Sequence, residues 1–247
     1  MDPVSIGGYE IQSVLGTGGM GTVYLARDAD RFVALKVLHS AASAPALLDH
    51  PNIVRILGSG TRWLAMQYVP GGDADSELRA GRMSPARAVH IIADIARGLD
   101  FAHAHGVVHG DVKPSNFLLA EDDRALLTDF GSRPFAANGM VLASAAYASP
   151  EMLRGKEVDR RTDVYSLGCS LFRLLTGKPP FFDASSKDEV VQAQLHREPP
   201  QVTRFAPWLP PAMDNVIATA MAKHANARYS SAGELARSAD AALGVKD

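Results

Sequence analysis

The sequence predicts an α+β chain in two lobes, a small antiparallel sheet followed by a mainly helical part. Three observations carry that prediction. Within roughly the first 70 residues, five short runs of strand-like composition alternate with glycine- or aspartate-rich turns. Pro70-Gly71-Gly72-Asp73 then breaks the pattern and reads as a hinge. Beyond it, apolar residues recur at helical spacing. A chain of 247 residues suits one large domain or two lobes sharing a cleft.

The strand-like runs are residues 9–15, 22–26, 32–37, 53–57 and 63–69. Between the first two lies Gly16-Thr17-Gly18-Gly19-Met20-Gly21, a G-x-G-x-x-G. A dinucleotide-binding turn needs a helix directly after it. Here Thr22-Val23-Tyr24-Leu25 follows, β-branched and aromatic, so the glycines belong to a hairpin. Such a hairpin either lies over phosphates, because glycine lets main-chain N–H groups approach closely, or is a plain flexible turn. The third run holds Lys36. Val33 and Leu35 share one face of it, Ala34 and Lys36 the other. A small residue beside a cation, under the glycine turn, suits an adenine ring beside phosphates; a solvated edge charge is the plainer alternative.

In the helical part, Ser84-Pro85 is a good start, an N-cap followed by proline at the first helical position. Val89, Ile92, Leu99 and Ala102 keep helical spacing, and Gly106 ends the run. His90, His103 and His105 read as ordinary helix residues, because no acid or cysteine stands at ligand spacing from them. Residues 162–176 form a helix apolar on nearly all sides, which places it inside the lobe. Further helices are expected near 187–196, 212–223 and 232–243, the last with Ser231 and Glu234 as a capping box. No internal repeat or low-complexity tract interrupts the chain.

Residues 107–131 carry the chemistry. Two apolar runs, 117–120 and 125–128, flank the turn Glu121-Asp122-Asp123 and read as a short hairpin. Asp111, Lys113 and Asn116 precede it and Asp129 follows it, so the hairpin gathers them at one edge. Asn116 with Asp129 could hold a hard cation through oxygen. Asp111 would stand as a base or orienting group, with Lys113 supplying positive charge between them. Phosphoryl transfer asks for that set of groups.

Composition excludes several other classes. Net charge is -2, so no global basic field argues for nucleic acid. No apolar run approaches membrane-spanning length, so no membrane contact is expected within this segment. Cys169 is the single cysteine, which forbids an internal disulfide and fits a reducing, cytoplasmic location.

From about Tyr9 to Leu243 the chain resembles the eukaryotic-like (Hanks-type) serine/threonine protein kinases, the bacterial ones above all. The resemblance rests on Gly16-x-Gly18-x-x-Gly21 with Val23, and on Lys36 in Val-Ala-Leu-Lys. It rests also on the catalytic loop His109-Gly110-Asp111-Val112-Lys113-Pro114-Ser115-Asn116, on Asp129-Phe130-Gly131 and on Ser149-Pro150-Glu151. Asp163 and Gly168 match the buried helix under the catalytic loop, and Arg228 the ion-pair partner of Glu151. The resemblance implies a bilobal kinase fold over residues 1–247. Its sheet lobe would take about residues 1–69, its hinge about 67–73 and its helical lobe 74–247. It implies ATP and Mg²⁺ (or Mn²⁺) as cofactors and a protein substrate. The glycine-loop amides of Gly16, Gly18 and Gly21 and Lys36 would hold phosphates; Asn116 and Asp129 would hold metal. Asp111 would take or orient the hydroxyl proton, and Lys113 would steady the γ-phosphate. Leu15, Val23, Ala34 and Leu118 would enclose the adenine, with Met66 as gatekeeper and main-chain groups of Gln67 to Val69 at its edge.

Three departures qualify this. Only 13 residues, 37–49, separate Lys36 from His50, where the family has a full helix bearing the glutamate that pairs with the lysine. The place for that glutamate falls near Ala41, so the αC helix is expected to be reduced, Lys36 leaning on Asp129 or on a partner's carboxylate. Gly110 replaces the arginine that receives a phosphorylated activation loop, and residues 132–149 contain no threonine, their hydroxyls being Ser132, Ser144, Tyr147 and Ser149. Arg133 is a poor substitute by position. Activity independent of loop phosphorylation is therefore expected. Finally, a missing helix is expected to bare the sheet around Ile53, Ile56 and Leu64, inviting a partner protein or a homodimer. The alternatives are a pseudokinase, binding nucleotide as a scaffold, and a small-molecule phosphotransferase. The long segment ending at Glu151 argues against the latter.

Overall fold

A computed structural model of the chain describes residues 4–19, 21–41, 46–130 and 145–244. Six strands form one antiparallel sheet in the order β1-β2-β3-β4-β6-β5. They are β1 (Ser5–Ile6), β2 (Tyr9–Gly18), β3 (Gly21–Asp28), β4 (Arg31–Leu38), β5 (Ile56–Gly60) and β6 (Trp63–Gln67). The five-strand expectation is corrected by β1, a two-residue strand too short to show any alternation. In β4 the two faces separate as alternation requires. Val33 and Leu35 pack with Ala26 and Ala65 on one side, and Ala34 packs with Met66 on the other.

The run expected at 53–57 is split. Its strand starts only at Ile56, and Ile53 instead bridges to Leu127 of a separate hairpin, β7 (Phe117–Leu119) with β8 (Ala125–Leu127). Asn52 drives this. Its carbonyl accepts from the Leu127 N–H at 2.9 Å, and its buried amide donates to the Ala125 carbonyl at 3.0 Å. The sheet lobe is thereby stitched to the helical lobe away from the hinge.

The helices are α1 (Ala74–Arg79), α2 (Pro85–Ala104), α3 (Pro150–Leu153), α4 (Arg160–Thr176), α5 (Lys187–His196), α6 (Ala212–Ala220) and α7 (Ala232–Leu243). Capping explains where most of them begin. Ser84 accepts from the Arg87 N–H at 3.1 Å, with Pro85 at N1, and starts α2. Ser231 accepts from the Glu234 N–H, but the Glu234 carboxylate reaches back to Ser230 and not to Ser231, so the capping box is displaced by one residue. Asp73, read as part of a hinge, also caps α1 by accepting from the Ser76 N–H at 2.9 Å. α4 is the buried axis of the lobe, its Val164, Leu167, Leu171 and Phe172 fully enclosed in one core with α2, α6 and α7. Among the described residues no helix is long and apolar enough to cross a membrane.

Between Leu38 and Ile53 none of the described residues is helical. Pro45 lies outside them. The bare sheet expected there is not found. Ile53 is 3% exposed and packs with Leu48, Ala102 and Phe130. Ile56 and Leu64 are half-buried against Val54, Met66 and Leu126. Leu48 packs with Ile53, and Leu126 of β8 packs with Ile56 and Leu64, so the sheet is not bare around those three residues.

Candidate active site

Asp163, on the first turn of α4 and wholly buried, organises the catalytic loop. Its carboxylate accepts from the main-chain N–H groups of His109 and Gly110, both at 2.8 Å, and from His103 Nε2 at 2.7 Å. A buried carboxylate with three donors around it is held in place. His109 Nε2 donates to the Thr128 carbonyl at 2.8 Å, and its Nδ1 accepts from the Asp111 N–H at 3.1 Å, which assigns the neutral tautomer. The Thr128 N–H in turn donates to the Asn116 carbonyl at 3.0 Å. Residues 109–116 and the end of β8 are thus one hydrogen-bonded unit. Gly110 has φ +76°, a left-handed conformation that any side chain would strain.

Two polar clusters stand on this unit. In the first, Lys113 Nζ donates to Asp111 Oδ2 at 2.7 Å, and Asn116 Nδ2 donates to the Asp111 carbonyl at 2.8 Å. The Asn116 amide also lies 3.3 Å from Asp111 Oδ2. These bonds commit the Asn116 nitrogen to protein and leave its oxygen as the atom to offer a cation. In the second, Lys36 Nζ donates to Asp129 Oδ1 at 2.8 Å. The lysine side chain is 9% exposed and the aspartate 26%, so the lysine has lost most of its water and Asp129 supplies the counter-charge. Asp129 is one of four non-glycine residues at positive φ among those described, at +69°. Strain of that kind is held by surrounding structure and concentrates at working sites. Among the described residues no group of three His, Cys, Asp or Glu side chains could hold a metal. Asn116 and Asp129 offer two oxygens, which fits Mg²⁺, an ion usually held by few protein ligands with phosphates and water completing its shell.

Five of the residues expected to line the nucleotide form one apolar cluster: Val23, Ala34, Met66, Val69 and Leu118, joined by Val54 and Leu126. They come from β3, β4, β6, the hinge and β7, so this cluster joins the two lobes. Leu15 is not part of it and stands 45% exposed on β2. A Cβ added at Gly16 or Gly18 would meet nothing within 4 Å, so no described neighbour demands glycine there. Gly21 differs. A Cβ there would come within 2.1 Å of the Val37 carbonyl, so its glycine serves the close approach of β3 to β4. The Gln67 N–H is committed to the Arg55 carbonyl at 2.9 Å, so only the groups after it can face a ligand edge.

Arg228 donates two bonds to Glu151, at 2.6 and 2.8 Å. Burial raises the Glu151 carboxyl, but the bonds and charge of Arg228 outweigh it and hold it at about 2. Ser149 is fully buried as the N-cap of α3, its hydroxyl accepting from the Met152 N–H at 3.4 Å. Gly131, Ser132, Arg133 and Ser144 lie outside the described residues. Sequence reasoning missed His103, which it read as an ordinary helix residue; its partner Asp163 is 60 residues away and no spacing betrays the pair.

The protein kinase domain family model matches residues 9–238. Serine/threonine-protein kinase PknJ of Mycobacterium tuberculosis is 49% identical over 267 aligned positions, covering 96% of this chain and 45% of that protein. PknH of the same species is 38% identical over 98% of this chain and 43% of its own length, and PknB of Mycolicibacterium smegmatis 36% identical over 92% and 41%. The chain therefore spans less than half the length of these relatives. With the family model covering most of its residues, the chain belongs to the protein kinase domain family, among the bacterial Hanks-type serine/threonine kinases.

Proposed function

We propose that this domain transfers the γ-phosphoryl group of ATP to serine or threonine hydroxyls of protein substrates, using Mg²⁺ or Mn²⁺. One observation carries the reading: Lys36, Asp111, Lys113, Asn116 and Asp129, from opposite lobes, converge on one hydrogen-bonded unit. In this reading Val23, Ala34, Met66, Val69 and Leu118 enclose the adenine, Leu15 covers its outer rim, and main-chain groups from Gln67 to Val69 read its edge. The amides of the glycine turn and Lys36 hold the phosphates. Asn116 and Asp129 hold the metal, which when bound offsets charge on the phosphates and on the group in transfer. Lys113 and Asn116 fix Asp111 through Oδ2, so Oδ1 is left to accept the substrate hydroxyl proton. The substrate oxygen then bonds to γ-phosphorus as the bond to the β–γ bridging oxygen breaks, and ADP leaves. Lys113 also steadies the γ-phosphate. Such catalysis is mostly positioning and electrostatics.

Turnover in this reading does not wait for phosphorylation of residues 132–149. Gly110 offers no cation to a phosphate, and buried Ser149 offers no free hydroxyl. The setting is the cytoplasm, which the lone, fully buried Cys169 suits. A nucleotide-binding scaffold is the second reading, favoured by one feature: the partner of Lys36 is Asp129, itself a metal ligand, and not a helix glutamate. Incubation with γ-labelled ATP, Mg²⁺ or Mn²⁺ and a generic basic protein, beside Asp111→Asn, separates them. Label that is lost in the variant is the expected result. Thermal stabilisation by ATP with no label in either chain supports the scaffold.

A further inference from the structure

A cavity of about 560 Å³ lies where the start of β4, the interval at 49–53, β5 and β8 meet the hinge. That volume is within the range of small-molecule sites. Gln67 and Tyr68 of the hinge and Leu126 of the apolar cluster line it, but none of Lys36, Asp111, Lys113, Asn116 and Asp129 does. It is thus separate from the site assigned to the phosphates and the metal.

The lining has two chemistries. Part of it is apolar and partly aromatic: Phe32, Ile53, Leu57, Tyr68 and Leu126. Phe32 and Tyr68 meet edge to face, with ring centroids 6.5 Å apart, and Phe32 is 54% exposed. A half-exposed ring beside other apolar side chains is surface that a second ring would cover. The charged part is Arg31, Arg55 and Arg124 against Asp49. Burial first, and Arg97 second, lower the pKa of His50, so it adds no charge at neutral pH. All three cations are arginines, whose planar fork grips a phosphate or carboxylate through paired donors and also stacks on rings. Their present partners are exposed aspartates: Arg31 pairs with Asp28, Arg55 Nη2 with Asp49 at 3.0 Å, and Arg124 Nε with Asp122 at 2.7 Å. Exposed pairs contribute little, and a guanidinium has more donors than these bonds use, so an anion can join or displace the aspartates.

We propose that this cavity binds a small aromatic anion, a ring bearing a phosphate or a carboxylate, with the ring on the apolar residues and the anion on the arginines. The site does not depend on the kinase reading, since it uses none of the groups acting there. The test is titration of the nucleotide-free chain with 2-naphthyl phosphate and with 2-naphthoate, followed by amide NMR shifts. Inorganic phosphate and 2-naphthol supply the anion and the ring alone. The aromatic anions should bind saturably with Kd near 1 mM or tighter, the scale for ligands of this size, and shift the amides of Phe32, Leu57 and Tyr68. The tighter of the two names the anion. Arg55→Gln and Arg124→Gln should each weaken binding roughly tenfold, and phosphate or 2-naphthol alone should bind roughly tenfold more weakly or less. Phe32→Ala, which trims a half-exposed ring, should also weaken it and gives a second reading if an arginine variant does not fold. No saturation below about 10 mM overturns the proposal. So does an affinity that folded Arg55→Gln and Arg124→Gln leave unchanged, or 2-naphthol binding as tightly as its phosphate. Shifts confined to the surroundings of Val23 and Lys36 would place the probe in the other site and overturn it too.

Discussion

A lysine with 9% of its side chain exposed needs a counter-charge, and in this chain Asp129 provides it. The pair makes the two residues unequal in an instructive way. Asp129→Ala leaves the Lys36 cation enclosed and unpaired, whereas Lys36→Met leaves a more exposed carboxylate. Asp129→Ala is expected to destabilise the nucleotide-free chain by about 1–3 kcal/mol, and Lys36→Met by less, in denaturant midpoints. Both should lower kcat/KM by about a hundredfold or more, because each removes a charge aimed at the phosphates. Equal stability of the two variants would show that Asp129 is not the support of Lys36. Glu151 gives a pH prediction. Its carboxyl sits at about 2 in the folded chain and near 4.5 when unfolded, so the pair with Arg228 stabilises fully above pH 4.5. That contribution is lost as pH falls towards 2. The shift corresponds to roughly 3 kcal/mol at most. Glu151→Gln should remove this part of the acid slope of the melting temperature, and an unchanged slope would place the acid sensitivity elsewhere.

At the scale of elements, the legible ones carried their own punctuation. α5 and α7 span the residues expected of them, 187–196 and 232–243, and α2 starts at Ser84-Pro85. α1 was hidden because Asp73 closes a hinge-like Pro-Gly-Gly-Asp and caps a helix at once. β1 is too short for any periodicity, and α6 stops at Ala220, short of the expected 223. Counting residues after Lys36 left little room for a helix, and among the described residues between Leu38 and Ile53 none is helical. It did not show that Leu48 and Ile53 turn inward, because their burial depends on Ala102 and Phe130 in the other lobe. That Asp111, Lys113, Asn116 and Asp129 gather at one edge was readable, since one short hairpin brings them together. The pairing of His103 was not, because its partner Asp163 lies far along the chain. The catalytic loop offers a prediction of its own. With φ +76° at position 110, Gly110→Arg should cost about 1–2 kcal/mol of folding stability, the penalty for a left-handed residue with a Cβ. A Cβ there has room, its nearest neighbour being Met152 Cε at 3.9 Å, so the cost is backbone strain and not a clash.

For the whole molecule, contacts among the described residues that join the lobes include the apolar cluster around Ala34, Met66 and Leu126, the bridge from Ile53 to Leu127 and the Lys36–Asp129 pair. A ligand seated on that cluster draws on both lobes, so ATP with Mg²⁺ should raise the melting temperature, by the equivalent of about 2.7 kcal/mol at a hundredfold excess over Kd. Lys36→Met should lose most of that shift. Beside Lys36 stands Asp129, where the kinase resemblance leads one to expect a helix glutamate, and Asp163 holds the main chain at 109–110. The most direct test is the progress curve of γ-labelled phosphoryl transfer to a basic protein by chain stripped of phosphate, compared with chain allowed to phosphorylate itself. The expected result is transfer that starts without a lag, at rates agreeing within about twofold. Transfer that begins only after Ser132, Ser144, Tyr147 or Ser149 has acquired a phosphate would contradict it.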